Sequence, residues 1–266
     1  FNAGPSAVEA LFAGAIDMAY IGAGPAINAY VKSGGEFKIA AGAAVGGAAL
    51  IVRKGVSIRN INDWNGKKIA TPQIGNTQDI AARAWLKQNG LSTADKGGTV
   101  QVLPVANADQ LTLFLKGDLD AAWTVEPWIS RIAAEAGGEV YMTESELWEK
   151  ITGGDYATTV ILVSAKFMRE HPELVKKWLN AHCRVTGWIQ SHPLETKALL
   201  GAELLKITKV ALPEQVMNSA FKNVKFTPDP VRKSLSQQAK WSFEQGFLGK
   251  TEPDLSGLCD LSILNE

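Results

Sequence analysis

Apolar residues in this chain come in two alternating patterns, short unbroken runs and stretches at helical spacing, nearly from end to end. The runs at 17–21, 37–44, 49–53, 68–71, 100–105, 121–125 and 139–142 read as strands. Helices are expected between them: 6–12, with Ser6 as cap and Gly14 as stop, then 25–31, 77–88, 108–116 and 127–136. Gly46-Gly47 breaks one apolar stretch into two strands, and 55–66 is a polar connector that marks a domain crossing. The Thr-rich, β-branched run 156–164 reads as a strand returning to the first domain. Such alternation predicts an α/β fold of parallel sheets with helices on both faces. The last third is mostly helical. Leu174, Val175, Trp178, Leu179, His182, Val185, Trp188 and Ile189 share one helical face, and 230–245 is a final amphipathic helix. A histidine inside an apolar stripe reads as core. His171 and His192, each followed by Pro, read as helix boundaries.

Within this pattern the stretch 69–79, IATPQIGNTQD, has the order strand, glycine turn, polar cap, helix. Its polar residues stand where the first N–H groups of the helix lack intrahelical partners. Asn76 and Asp79 have capping-box spacing, although Asp closes the box less well than Glu. A capped helix and nothing more is the commoner meaning of such a junction. The functional meaning is a seat for an oxyanion on free donors at the positive end of a helix.

Composition narrows the partners. The 266 residues carry 27 Lys and Arg against 27 Asp and Glu, a formal net charge of zero. Nucleic acid and anionic membrane surfaces are therefore not expected partners. Any anion site must be local, made of backbone dipoles and hydroxyls. No run of about 18 apolar residues occurs, so no transmembrane helix is expected. Cys183 and Cys259 form no CxxC or zinc pattern and could make at most one bridge. No metal or cofactor is expected. The chain opens at Phe1-Asn2-Ala3-Gly4, without a start methionine or signal peptide, as though cut from something longer.

Five segments in order carry a family resemblance: FNAGPSAVEALFAGAIDMAYIGAGPAINAYVKSG at 1–34, AGAAVGGAALIVRKG at 41–55, WNGKKIATPQIGNTQDIAARAWLKQNGL at 64–91, ADQLTLFLKGDLDAAWTVEPW at 108–128 and HPELVKKWLNAH at 171–182. Together they resemble the substrate-binding components of ABC importers for aliphatic sulfonates, taurine and nitrate, over nearly the whole chain. The resemblance implies a two-lobed periplasmic binding protein fold of the second type that closes on a small anion and performs no chemistry. It implies delivery to an ABC permease, a place in the periplasm or on a lipid anchor outside the cytoplasmic membrane, and a monomer when complete. The connector and the Thr-rich strand divide the chain into one lobe of 1–59 with 156–266 and another of 60–155.

The resemblance also implies a site. Gly22 and Gly24 belong to a first-lobe ligand loop. Gly46, Gly47 and Ala48 present N–H groups from the same lobe, and Gly75, Asn76, Thr77 and Gln78 face them from the second. Glu126, at a third strand-to-helix junction, either complements the helix dipole, the favoured reading, or meets a ligand amine or water at the pocket rim. Trp123 and Trp128 either wall an alkyl tail or belong to the core. Family members carry a further strand, ligand loop and helix ahead of the segment matching Phe1. That N-terminal βα unit is expected to be missing here, leaving an open slot in one sheet, an incomplete pocket and lower stability.

Two other classes compete with oxyanion capture. An enzyme on the same fold, of thiamine-pyrimidine or menaquinone type, would need a catalytic constellation. The two isolated cysteines, and histidines confined to 171 and beyond, offer none. A sensory module would need a partner protein. Phosphonate, nitrate, bicarbonate and carboxylates remain alternative anions.

Overall fold

A computed structural model describes residues 1–264. In chain order the elements are α1 (Gly4–Phe12), β1 (Met18–Gly22), α2 (Ala23–Lys32), β2 (Phe37–Gly46), β3 (Ala48–Val52), β4 (Lys68–Thr71), α3 (Thr77–Gln88), β5 (Gln101–Pro104), α4 (Asn107–Lys116), β6 (Ala121–Val125) and α5 (Trp128–Ala136). There follow β7 (Glu139–Thr143), α6 (Glu144–Thr152), β8 (Ala157–Ser164), α7 (Ala165–Glu170), α8 (Pro172–Ser191), α9 (Pro193–Thr208), α10 (Glu214–Asn223), β9 (Val224–Phe226) and α11 (Arg232–Glu244). Ser6 does not cap α1. The N-cap is Ala3, and Pro5 sits in the first turn, where its missing N–H costs nothing.

The strands form two sheets, ordered β1-β8-β2-β9 and β5-β4-β6-β3-β7. In the second, β4 runs parallel to β5 and β6, while β3 is antiparallel to β6 and β7. Every pairing in the first sheet is antiparallel, so the expectation of parallel sheets holds only for β5-β4-β6. The physical reason is the return path. β8 enters the first sheet from the second and so runs against both of its neighbours.

The chain first leaves the first sheet at Gly46-Gly47. Residues 48–52, which lie before the polar connector, hydrogen-bond into the second sheet against β6 and β7. Gly46 and Gly47 have φ of 73° and 69°, in the left-handed region. A Cβ on Gly46 would lie 2.8 Å from the Asn223 carbonyl oxygen, and one on Gly47 would lie 2.5 Å from Val224 Cγ2. Only glycine fits both the backbone and the space. The connector itself holds a single 3-10 turn, Ile61–Trp64, closed by a capping box between Asn60 and Asp63.

Four apolar layers hold these sheets, one of them made by Ile161 and Val163 of β8 with Met168, Val175 and Leu179 of α7 and α8. Ile21, Ile27, Ile39, Val160 and Leu162 pack one face of the first sheet. In the second, Leu50, Trp64, Ile69, Trp85, Trp123 and Trp148 pack one face, and Ile51, Leu111, Phe114 and Ile132 the other. Helix α11 adds Leu235 and Ala239 to the first-sheet core and Trp241 to the tryptophan-rich core of the second. The expected apolar face of α8 is only partly buried. Val175, Leu179, His182 and Thr186 are inside, but Leu174, Trp178 and Val185 remain exposed. His182 is a core residue, donating from Nε2 to the Gly42 carbonyl at 2.9 Å and facing Tyr20 Oη at 3.0 Å through Nδ1. Both cysteines are free thiols.

Glu144, the first residue of α6, is fully buried in the tryptophan-rich core, where Trp123 Nε1 donates to its Oε1. Burial pushes its pKa up to about 8, against the opposing pull of the nearby Tyr156 hydroxyl and of the Trp123 hydrogen bond. The folded protein therefore holds a proton that the unfolded chain releases above its ordinary carboxyl range. The contribution of Glu144 to stability should be full below about pH 4.5 and be lost as pH rises to about 8, by up to ~1.4 kcal/mol per pH unit. Urea unfolding of the wild type and Glu144→Gln across that range checks this. The variant is expected to lose the slope, and parallel curves would contradict the assignment.

Candidate functional site

A cleft of about 290 Å³ lies between the two sheets and draws its walls from both. Its walls are mainly helix beginnings. Asn2, Ala3 and Gly4 come from the start of α1, and Gly22 with Pro25 from the start of α2. Asn76, Thr77 and Gln78 open α3, Asn107 is the first residue of α4, and Glu126 precedes α5. Five helices thus present N-terminal residues to one cavity. Each terminus brings N–H groups that lack intrahelical partners and a partial positive charge. Gly46 and Gly47 form part of the same wall, beside Thr158 and Thr159 of β8. Among the described residues no lysine, arginine or histidine lines it.

The start of α3 is the most constrained part. Asn76 Oδ1 accepts from the Asp79 N–H at 2.8 Å, the forward half of a capping box. The reciprocal bond goes instead to Gly75, whose N–H donates to Asp79 Oδ2 at 2.9 Å. Asp79 also accepts from Thr71 Oγ1 at 3.1 Å and from Arg83 Nε at 3.0 Å, and it is fully buried. Arg83 is 8% exposed and bonds Asp95 as well, so the buried carboxylate is paired on every side. This network fixes the turn between β4 and α3. Thr77, 3% exposed, accepts from the Gly24 N–H at 3.2 Å and so joins the two sides of the cleft, leaving its hydroxyl proton for another acceptor.

Among the described residues Glu126 is the one charged side chain in the wall. Its Oε2 accepts from the Ser130 N–H at 3.1 Å, and its Oε1 from Ser130 Oγ at 3.0 Å and Asn223 Nδ2 at 2.7 Å. The carboxylate thus caps the first turn of α5, as the dipole reading expects, while bordering the cavity.

Of the residues expected at the site, Gly22, Gly46, Gly47, Asn76, Thr77, Gln78 and Glu126 line the cleft together. Three do not. Gly24 stands behind the wall as the donor to Thr77. Gly75 faces the ring of Phe247. Ala48 faces a neighbouring pocket beside Gly47 and Asn223. Trp123 is wholly buried in the core, and Trp128 lies under the guanidinium of Arg131 at 4.9 Å. Sequence reasoning missed Asn107, Thr158 and Thr159. Asn107 carries the same signal that marked Asn76, a polar residue between a strand and a helix. The two threonines sit in a β-branched strand, where propensity masks their role. Among the described residues, no group of three or more His, Cys, Asp or Glu is placed to hold a metal ion, and no helix is long and apolar enough to cross a membrane. A larger groove of about 440 Å³ between α8 and the first sheet is walled by Trp178, Val185, Ile189 and Phe226. Its wall is mostly apolar and gathers no helix N-termini.

The NMT1-like family model matches residues 1–203. A putative binding protein of Brucella abortus is 26% identical over 82% of this chain, which spans 64% of that relative's length, just under two thirds. The taurine-binding periplasmic protein of Escherichia coli is 30% identical over 68% of this chain and 53% of its own. Among solved structures, the alkanesulfonate-binding protein of Xanthomonas axonopodis pv. citri bound to MOPS superposes with a TM-score of 0.73 at 21% identity, over 94% of this chain and 82% of that one. The fold is thus the two-lobed one of the periplasmic binding proteins.

The cap on α3 is open to direct measurement. Asn76→Ala leaves the Asp79 N–H without its acceptor and is expected to lower stability by about 1 kcal/mol in denaturant unfolding. An unchanged midpoint would mean that the Asp79–Arg83 network alone holds the turn.

Proposed function

Because the chain belongs to the NMT1-like family, we propose that it is a solute-binding protein that captures a small oxyanion, an aliphatic sulfonate, and hands it to an ABC importer outside the cytoplasmic membrane. The observation that carries this reading is the convergence of five helix N-termini on one cleft with no basic side chain in its wall among the described residues. A permanently ionised head group is matched there by many neutral donors, each contributing a part of the compensation. A lysine or arginine would hold anions more tightly but would face an empty cleft unpaired between rounds of capture and release. The names of the relatives support the same reading: the Escherichia coli protein is called taurine-binding and periplasmic, and the Xanthomonas protein alkanesulfonate-binding.

The proposed lobes follow the sheets rather than the connector. One holds β1, β2, β8 and β9, the other β3 to β7, and the chain crosses at Gly46-Gly47 and again between α6 and β8. The proposed contacts to the anion come from Gly22, Gly46, Gly47, Asn76, Thr77, Gln78 and the helix-terminal N–H groups around them. Glu126, already holding three hydrogen bonds, borders the site without neutralising the ligand.

Titration calorimetry with ethanesulfonate tests this. Binding is expected, with one site and a weak dependence on salt, because no mobile surface cation takes part. Thr77→Val removes the hydroxyl donor and the acceptor for the Gly24 N–H, and is expected to weaken binding by roughly 1–3 kcal/mol. No heat of binding with ethanesulfonate, or a full-strength Thr77→Val complex, would count against the reading.

A further inference from the structure

Two side-chain amides in the cleft are held in a defined orientation by groups behind the wall. The first chain of reasoning starts at a backbone donor. The Asp79 N–H can only donate, so the Asn76 atom it meets at 2.8 Å is the carbonyl oxygen. The amino group of Asn76 is then the one that meets Gln78 at 3.2 Å, which makes the Gln78 atom its Oε1. The remaining Gln78 atom, the Nε2 amino group, has no protein partner among the described residues, and Gln78 lines the cavity. The second starts at Thr124, which is wholly buried on β6. Its hydroxyl proton needs an acceptor, and it finds Asn107 Oδ1 at 2.9 Å. That leaves the Nδ2 amino group of Asn107 unpartnered among the described residues, again on a residue that lines the cavity. Between these two stands Thr77, whose oxygen is occupied by the Gly24 N–H and whose proton is free.

We propose that Asn107 and Gln78 are specificity-determining residues of the oxyanion cleft, presenting amino groups to the anion, and that Thr124 and Asn76 are the positioning residues that keep their carbonyl oxygens turned away. This rests on the oxyanion reading above and narrows it. Where the head group meets Asn107, Gln78 and Thr77, these side chains offer protons only. Among the described residues the one carboxylate in the wall, Glu126, already accepts three hydrogen bonds. A head group with no proton of its own, such as a sulfonate, is fully matched by these three. An alkylphosphonate holding its last ionisable proton would have to turn that proton away from them, toward the hydroxyls of Thr158 and Thr159.

The test uses the full chain and ethanesulfonate, titrated calorimetrically from about pH 7 to about pH 4. The wild type comes first, since absence of binding would end the oxyanion reading itself. Asn107→Asp keeps the size of the side chain and favours the start of α4 electrostatically, so the fold is expected to survive. At neutral pH it replaces a donor by a carboxylate, and binding should weaken about tenfold or more. As pH falls the carboxyl protonates and regains a donor, so affinity should recover. The other titratable groups near this position are Glu126 in the wall and Asp109 in the first turn of α4, and the wild-type profile measures their contribution. Thr124→Val should weaken binding several-fold, and Thr124→Ser, which restores the hydroxyl, should recover it. Thermal melts show whether each variant is folded. Ethylphosphonate, which keeps its last proton throughout this pH range, should bind less well than ethanesulfonate. A wild type that binds ethanesulfonate while folded Asn107→Asp shows the same affinity and pH profile would overturn the role of Asn107. Equal affinities for the Val and Ser variants would overturn that of Thr124.

Discussion

The rest of the molecule depends on the crossing at Gly46-Gly47. Here the backbone turns from one sheet into the other in two successive left-handed steps, with Asn223 and Val224 pressed against the places where side chains would begin. An ordinary residue would meet both a strained backbone and a steric clash. Because the crossing is that tight, β2 and β3 follow each other almost without a loop and yet belong to different sheets. The ends of the two sheets are thereby brought together, and the helices that start at those ends come with them. The cleft follows from this geometry: Gly22 and the start of α1 on one side, α3, α4 and α5 on the other, and Gly46-Gly47 between them.

What the cleft offers electrostatically follows from the same arrangement. A sheet whose strands end at one rim and are followed by helices places several positive helix ends at that rim. The protein has no excess charge to draw an anion from a distance, with 27 cationic against 27 anionic residues, and among the described residues no cation in the wall to hold one. The guanidinium of Arg83 on α3 is consumed behind the wall by Asp79 and Asp95. Its part is to fix the turn from which Asn76, Thr77 and Gln78 project. Rigidity behind the wall and neutral donors on its surface divide the work, and this division lets the empty site stay uncharged apart from a capped Glu126.

Much of the fold was legible in the sequence. β4, α3 and β6 run as the hydrophobic pattern predicts, because short apolar runs flanked by Gly and polar caps leave little choice. Strand direction was not legible. An apolar run reads the same whichever way its neighbours run, so the antiparallel first sheet could be known only from the path of β8 between the sheets. The polar connector at 55–66 was more conspicuous than the crossing at Gly46-Gly47, yet two adjacent glycines between apolar runs held the stronger physical meaning. On α8, spacing showed one face without showing that the sheet covers only its Val175, Leu179 and His182 side.

At the site, residues on a strand-to-helix junction were legible where a polar cap announced itself, as at Asn76. Asn107 passed unnoticed because its partner, Thr124, is seventeen residues away on β6 and the pair forms only in the fold. Central to the proposed function is a ring of helix N-termini, without a basic side chain among the described residues, as the seat of the oxyanion. The most direct measurement is a crystal soaked in ethanesulfonate, with the sulfur located by its anomalous signal. The account predicts one strong peak in the cleft, within hydrogen-bond reach of the first residues of α3 and α4 and the Gly46-Gly47 turn. A peak against a surface lysine or arginine instead, with the cleft holding only water, would contradict it.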